Sequence, residues 1–291
     1  MTNRLKRFTR KYTIKKLWTV FDERYGFCFL ERLFSCNWFN PFATIWLNLR
    51  SFPLSQAICF PIWCYGRPKF YGLSGHMIIE GKIASGMIRF NQTKYMAPSN
   101  MDAQTELFNY GKIIFRGPGI IGTGNKIVVF RSGTLDIGAN FKITDMCNVG
   151  CFQQIIIGEQ TRITHRCQVL ESNYHFVANF AKGIVPKHSR PISLGKGCWI
   201  CNSSTIMGGT KLPDFPWVAS NSLLNKNYSE IPESSLIGGI PARLIATGFR
   251  KIENGMIETE IAQFYKMNPN QVFCMPESAN PNEYSYVDKF K

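Results

Sequence analysis

From Leu194 the chain divides into sixes, LGKGCW, ICNSST, IMGGTK, LPDFPW, VASNSL and LNKNYS, which open on Leu194, Ile200, Ile206, Leu212, Val218 and Leu224. With roughly a quarter of residues aliphatic, such a run arises by chance in about one frame in four thousand. A period of six suits neither an amphipathic helix nor a simple hairpin. It suits a β-helix, in which short strands turn at fixed intervals and successive coils stack. Three sixes make one turn of a triangular prism. The fifth residues, Cys198, Ser204, Thr210, Pro216 and Ser222, are all small or compact, so a large inward residue alternates with a small one, as a narrow core requires.

The pattern continues upstream. Ile157, Ile163 and Val169 open one coil, Ile137, Ile143 and Val149 another, and Ile121 and Ile127 a looser one. Gly122, Gly138, Gly158 and Gly195 each follow a leading aliphatic, where the chain turns a corner and a Cβ would crowd it. This reading also covers Cys198 and Cys201. A C-x-x-C spacing can signal a redox dithiol or half of a zinc site. Here the first cysteine is a small inward residue and the second takes a corner position, and Cys147 and Cys151 lie inside another coil.

The chain has 291 residues and is 45% hydrophobic, enough for a substantial core. Ten cysteines at irregular spacing, with no secretory leader ahead of them, imply reduced thiols and a cytoplasmic location. The net charge of +15 is concentrated in an N-terminal arm, where seven basic residues from Arg4 to Lys16 precede the first acid, Asp22. The aromatics from Trp18 to Trp46 follow it. Such an arm is either a solvated tail or a peripheral contact with the inner face of an anionic membrane. No recognition module for nucleic acid is present, so no nucleic-acid partner is expected. The expected division is a basic arm and N-terminal cap over residues 1–70, a β-helix over 71–247, and a tail over 248–291. In the tail, Ile257, Ile261, Phe264 and Tyr265 have helical spacing, which predicts a helix packed on the prism's open end or on a neighbour.

PISLGKGCWICNSSTIMGGTKLPDFPWVASNSLLNK, followed by IPESSLIGGIPARLI, resembles the hexapeptide-repeat acyltransferases, in particular the sugar O-acetyltransferases of the maltose type and of bacterial polysaccharide clusters. The resemblance spans about Gly133 to Ile245 and implies a left-handed parallel β-helix, a homotrimer, and acetyl-CoA in a groove between subunits, with no metal. The implied reaction moves an acetyl group to a hydroxyl of a carbohydrate acceptor, such as a surface polysaccharide or its precursor.

That reaction needs a base for the hydroxyl proton, and histidine suits it near neutral pH. Four histidines are available. His76 lies ahead of the regular coils and reads as structural. His165, third in ITHRCQ, is expected to point outward from a coil face. His188 lies in a loop. His175, in ESNYHF, stands where the Val169 six breaks off; the repeat resumes at Leu194, and the intervening excursion reads as a flap at a corner. Related enzymes carry their catalytic histidine at this break, so the resemblance assigns the base to His175. Glu171 and Asn173 stand where the family often has acids, and on an extended strand they share a face with 175; either is a candidate to orient the imidazole. For the donor, the resemblance implies contacts at Asn202 and Ser220, one coil apart, at Asn225 and Lys226, and at Arg243 after G-x-P-A. A second basic residue common in the family is Ala246 here, which leaves Arg250 as a substitute.

Two other classes fit a β-helix. One is a metal hydratase, which needs three histidines meeting across an interface. The other is a non-catalytic scaffold or sugar-binding module. His175, Lys226 and Arg243 together argue for the transferase.

Overall fold

A computed structural model describes residues 38–92 and 103–285; the basic arm and the aromatics up to Phe34 lie outside the described residues. Two helices open it, α1 (Pro41–Ser51) and α2 (Leu54–Ala57). Asn40 caps α1 by accepting from Ala43 N–H at 3.0 Å, and Pro41 sits at the first helical position, where its missing N–H costs nothing.

The chain then winds through strands that visit three sides of a prism in rotation, with single bridges at Lys211 and Asn227 in place of a third-side strand in the last turns. The first turn is β1 (Ile62–Cys64), β2 (Lys69–Leu73) and β3 (His76–Ile79). The second is β4 (Ile88–Phe90), β5 (Glu106–Asn109) and β6 (Lys112–Phe115), and the third β7 (Gly119–Ile121), β8 (Lys126–Val129) and β9 (Thr134–Ile137). The fourth is β10 (Phe141–Ile143), β11 (Asn148–Cys151) and β12 (Gln154–Ile157), and the fifth β13 (Arg162–Ile163), β14 (Gln168–Leu170) and β15 (Ile192–Leu194). The last turns supply β16 (Trp199–Ile200), β17 (Thr205–Met207), β18 (Trp217–Val218), β19 (Leu223–Leu224) and β20 (Leu236–Gly239). These strands form three parallel sheets, one per side, in the manner of a left-handed β-helix. The first side ends with β21 (Ala242–Ala246), which pairs antiparallel with β20.

In-register pairing stacks the leading aliphatics into columns. Ile121, Ile143, Ile163, Ile200, Val218 and Ile237 stack on the first side, and Ile127, Val149, Val169, Ile206 and Leu224 on the second. All of them are buried. Burying such a side chain contributes about 1.5–3 kcal/mol, so the columns hold the coils together. At the corner glycines a Cβ would strike the next turn: at Gly158 it would fall 2.3 Å from Gly195 O. Cys198 is fully buried, as the repeat predicts, and burial pushes its thiol far up. Every described cysteine is a free thiol.

The solenoid begins at β1, ahead of residue 71, because Ile62 and Cys64 already stack on Ile88 and Phe90. Helix α1 completes this first rung in place of a strand. The Asn48 amide donates to Ile62 O at 2.7 Å and accepts from Ile62 N–H at 3.1 Å, while Thr44 Oγ1 accepts from Cys64 N–H at 3.0 Å. In the tail, α3 (Gly255–Met267) forms as its spacing predicts but buries no residue. On its half-buried stripe, Phe264 packs edge-on against Phe273 of the segment that follows. A short α4 (Pro281–Ser285) closes the described chain. Among the described residues no helix is long and apolar enough to cross a membrane.

Candidate active site

Between β14 and β15 the repeat pauses for a flap, residues 171–191, and resumes with Ile192 paired to Ile155. The flap is hairpin-like, with bridges between Ser172 and Ser189 at its base and between Asn179 and Ile184 near its tip. Its outer part is apolar yet exposed; Phe180 is 95% accessible.

Glu171 begins the excursion as a buried acid. Its carboxylate accepts from the backbone N–H groups of Phe152 and Gln153, both at 2.8 Å, and of Gln154 at 3.2 Å. It thereby satisfies the turn between β11 and β12, and it makes no hydrogen bond to His175. An orienting role for Glu171 therefore has no contact behind it, because the buried turn takes both oxygens. Burial, reinforced by the nearby Glu171 charge, pushes the adjacent Cys151 thiol up to about 12.

Ser172 bends the chain next. Its Oγ accepts from Tyr174 N–H at 3.0 Å, an ST-type turn that carries Tyr174 into a left-handed conformation at φ 66°. The Tyr174 ring then packs edge-on against Phe152 at 5.2 Å and Phe130 at 5.9 Å. Its hydroxyl lies over Gly150, where a Cβ would approach within 2.9 Å. Partial burial raises the Tyr174 phenol. With Tyr174 pinned, His175 is presented outward.

A cleft of about 280 Å³ lies here, lined among others by Ser172, Asn173, His175, His188, Arg190 and Asn225. His175 is exposed and makes no hydrogen bond among the described residues. His188 is more constrained. Its Nδ1 lies 2.7 Å from Ser172 Oγ, and its ring meets Phe152 at 5.3 Å and Phe176 at 4.8 Å, both edge-on. Arg190 lies against the backbone at Gly209, where a Cβ would come within 3.1 Å of its Cζ. Ser172, His188 and Arg190 are the site residues that repeat analysis does not select. Their signal is only that they flank the interruption.

The expected residues fall into two groups. Glu171, Asn173, His175, Asn225 and Lys226 gather at the corner between the second and third sides, with Lys226 Nζ 5.5 Å from the Tyr228 ring centre. Asn202 and Ser220 occupy the corner between the first and second sides, both exposed, with Asn221 N–H donating to Asn202 O at 3.0 Å. Arg243 projects from β21, opposite Gly238. One chain does not bring these groups together.

His165 shares the column of Asn202 but is 7% exposed, not outward-facing as alternation suggested. The corner is a turn, and there the side chain folds onto the neighbouring coil. Thr123 and Asp145, at the same corner of earlier turns, are buried too, with Asp145 Oδ1 accepting from Thr123 N–H at 2.8 Å. Among the described residues no three His, Cys, Asp or Glu side chains converge to hold a metal.

No family model matches the chain. The polySia-specific acetyltransferase NeuO is similar in structure at 15% identity over 78% of this chain and 95% of that one, with a TM-score of 0.41. The polysialic acid O-acetyltransferase OatWY is 16% identical over 68% and 100% of the two chains, with a TM-score of 0.39. The hexapeptide-repeat acetyltransferase VCA0836 of Vibrio cholerae O1 biovar eltor, complexed with acetyl coenzyme A, is 19% identical over 46% and 70%, with a TM-score of 0.39. At such identities the likeness is one of fold. The chain's own stacked columns and rotating strands decide the matter. The chain is a hexapeptide-repeat β-helix. In this hexapeptide-repeat protein the corner between the second and third sides supplies an exposed imidazole beside cationic and amide side chains that make no ion pair among the described residues, an arrangement suited to proton abstraction near an anionic group.

Proposed function

We propose that the protein is an acyl-CoA-dependent acyltransferase that moves an acetyl group to a carbohydrate hydroxyl. The supporting observation is His175, held outward by the Tyr174 turn at the mouth of a cleft shared with Asn225 and Arg190. In the proposed reaction His175 takes the proton of the acceptor hydroxyl as its oxygen attacks the thioester carbonyl. The tetrahedral intermediate collapses with cleavage of the carbon–sulfur bond, and the proton passes from the imidazolium to the departing thiolate. A positioned base of this kind contributes about 10²–10⁴ in rate.

The separation of the two residue groups supports a site shared between copies. Asn202 and Ser220 can join the His175 corner only from a second chain, and a closed ring of three identical prisms satisfies each edge in turn. Transfer of labelled acetyl from acetyl-CoA to a panel of sugars and nucleotide-sugars tests the reading. Absence of transfer to any hydroxyl, with the label leaving only as free acetate at the background rate, would sink it.

A further inference from the structure

Helix α1 is amphipathic in the reverse sense for a helix packed on a core. Its buried side carries Thr44, Leu47, Asn48 and Ser51, with Thr44 and Asn48 engaged in the bonds to β1. Its outward side carries Phe42, Ile45, Trp46 and Leu49, spaced i, i+3, i+4 and i+7 and so on one face. Phe42 is 81% accessible and Trp46 60%. The adjoining α2 exposes Leu54 and Ile58 as well. A continuous apolar face, unlike scattered single side chains, marks a surface of interaction. None of the residues assigned to transfer belongs to it.

Charge indicates what covers this face. From Arg32 to Ile79 the sequence holds no Asp or Glu. Arg50 stands in the last turn of α1. Arg67 follows Gly66, whose carbonyl accepts from the Asn40 cap at 2.7 Å, so a cation flanks each end of the helix. Both are exposed, and neither makes an ion pair among the described residues. Glu80, the next acid along the chain, is engaged by Arg116 at 2.8 Å. Two copies meeting through α1 would therefore bring like charges together. Residues 1–37 hold nine basic residues against three acids, so laying that segment on the face would also add positive charge to positive. An apolar face flanked by unopposed cations fits a surface that is anionic outside and apolar just beneath, which is the surface of an anionic bilayer.

We propose that the outward face of α1 docks on an anionic lipid surface. Phe42, Ile45, Trp46 and Leu49 enter the boundary between headgroups and acyl chains, while Arg50 and Arg67 stay level with the lipid phosphates. The first rung of the solenoid then stands on the membrane. The rung that carries Glu171 and the flap lies four strand spacings farther along the second side, roughly 20 Å away. Docking requires no acyl transfer, so the inference stands apart from the proposed reaction.

Co-sedimentation of the full chain with vesicles of phosphatidylcholine, with and without phosphatidylglycerol, tests it. The anionic vesicles should bind at least roughly tenfold more tightly, with the margin shrinking as salt rises. Phe42→Ser combined with Trp46→Ser alters only outward side chains, so the variant should keep its melting temperature and bind anionic vesicles at least roughly tenfold more weakly. Equal binding of the full chain to both vesicles would overturn the proposal and leave the face to residues 1–37 or to another protein. Undiminished binding by the folded double variant would overturn it in favour of the basic arm alone. A smaller particle for the double variant in sedimentation would overturn it in favour of a contact between copies. If the double variant fails to fold, the milder Leu49→Gln should weaken anionic-vesicle binding several-fold and decides alone.

Discussion

His188 Nδ1 lies 2.7 Å from Ser172 Oγ, whereas His175, in the same cleft, has no hydrogen-bond partner among the described residues. The two imidazoles thus differ in freedom: one is anchored between aromatic edges, and the other can follow a substrate.

This difference separates their roles by mutation. His175→Ala should lower kcat by about 10²–10⁴ with little change in melting temperature. His188→Ala removes the Ser172 contact and should loosen the flap, raising KM for the acceptor more than it lowers kcat. If the His188 variant loses kcat while the His175 variant keeps it, the base is His188.

Glu171 should matter for stability first. Glutamine at this position offers one acceptor oxygen and an unwanted donor to three N–H groups that now share a carboxylate. Glu171→Gln should cost about 1.5–3 kcal/mol in chemical denaturation, the usual worth of charge-assisted bonds. Unchanged stability with a large loss of rate would return Glu171 to the catalytic group.

These two residues also mark how far the sequence can be read. The columns from Ile121 to Leu224 are legible because a solenoid repeats the same inward contact every few residues along the chain. The Ser172–His188 bond joins residues sixteen apart across an aperiodic insertion, so no period announces it. His165 defeats simple alternation because it lies at a corner, where period-two geometry no longer applies. The Arg162–Glu253 pair, 91 residues apart, belongs to a tail whose path the repeat does not govern.

Acid should release that tail. Burial opposes ionisation of Glu253, but Arg162 and Lys251 outweigh it and hold the carboxyl below its ordinary value of 4.5. A carboxyl lowered in the folded state stabilises it above that ordinary value, and the contribution is lost as pH falls through the lowered one. Protection of residues 249–285 against hydrogen exchange, taken relative to each amide's intrinsic rate, should therefore fall only on the acid side of 4.5, and Glu253→Gln should show low protection without that pH step. A tail equally protected at neutral and acid pH would contradict this.

The cysteines should be dispensable for chemistry. Cys198 Sγ donates to Gly195 O at 3.0 Å, a bond that serine can keep, and Cys201 Sγ only accepts from Trp217 Nε1 at 3.3 Å. The double change Cys198→Ser and Cys201→Gly should leave transfer within a few-fold of the parent. Stoichiometric zinc in the purified protein, or loss of activity with chelator, would contradict it.

Sedimentation should find three chains per particle. Within that particle, Lys226→Ala and Arg243→Ala should raise KM for acetyl-CoA more than they lower kcat, with a larger effect at low salt. A dilute monomer that retains full activity would end the shared-site proposal.

A stack of parallel rungs is a template for its own extension, because its terminal strands offer unpaired backbone groups to any similar edge. Here the first rung meets Asn48 and Thr44, whose side chains occupy the bonds another rung would seek, and the last meets β21 running backwards. The first side of the described solenoid is thereby closed at both ends to a further parallel rung.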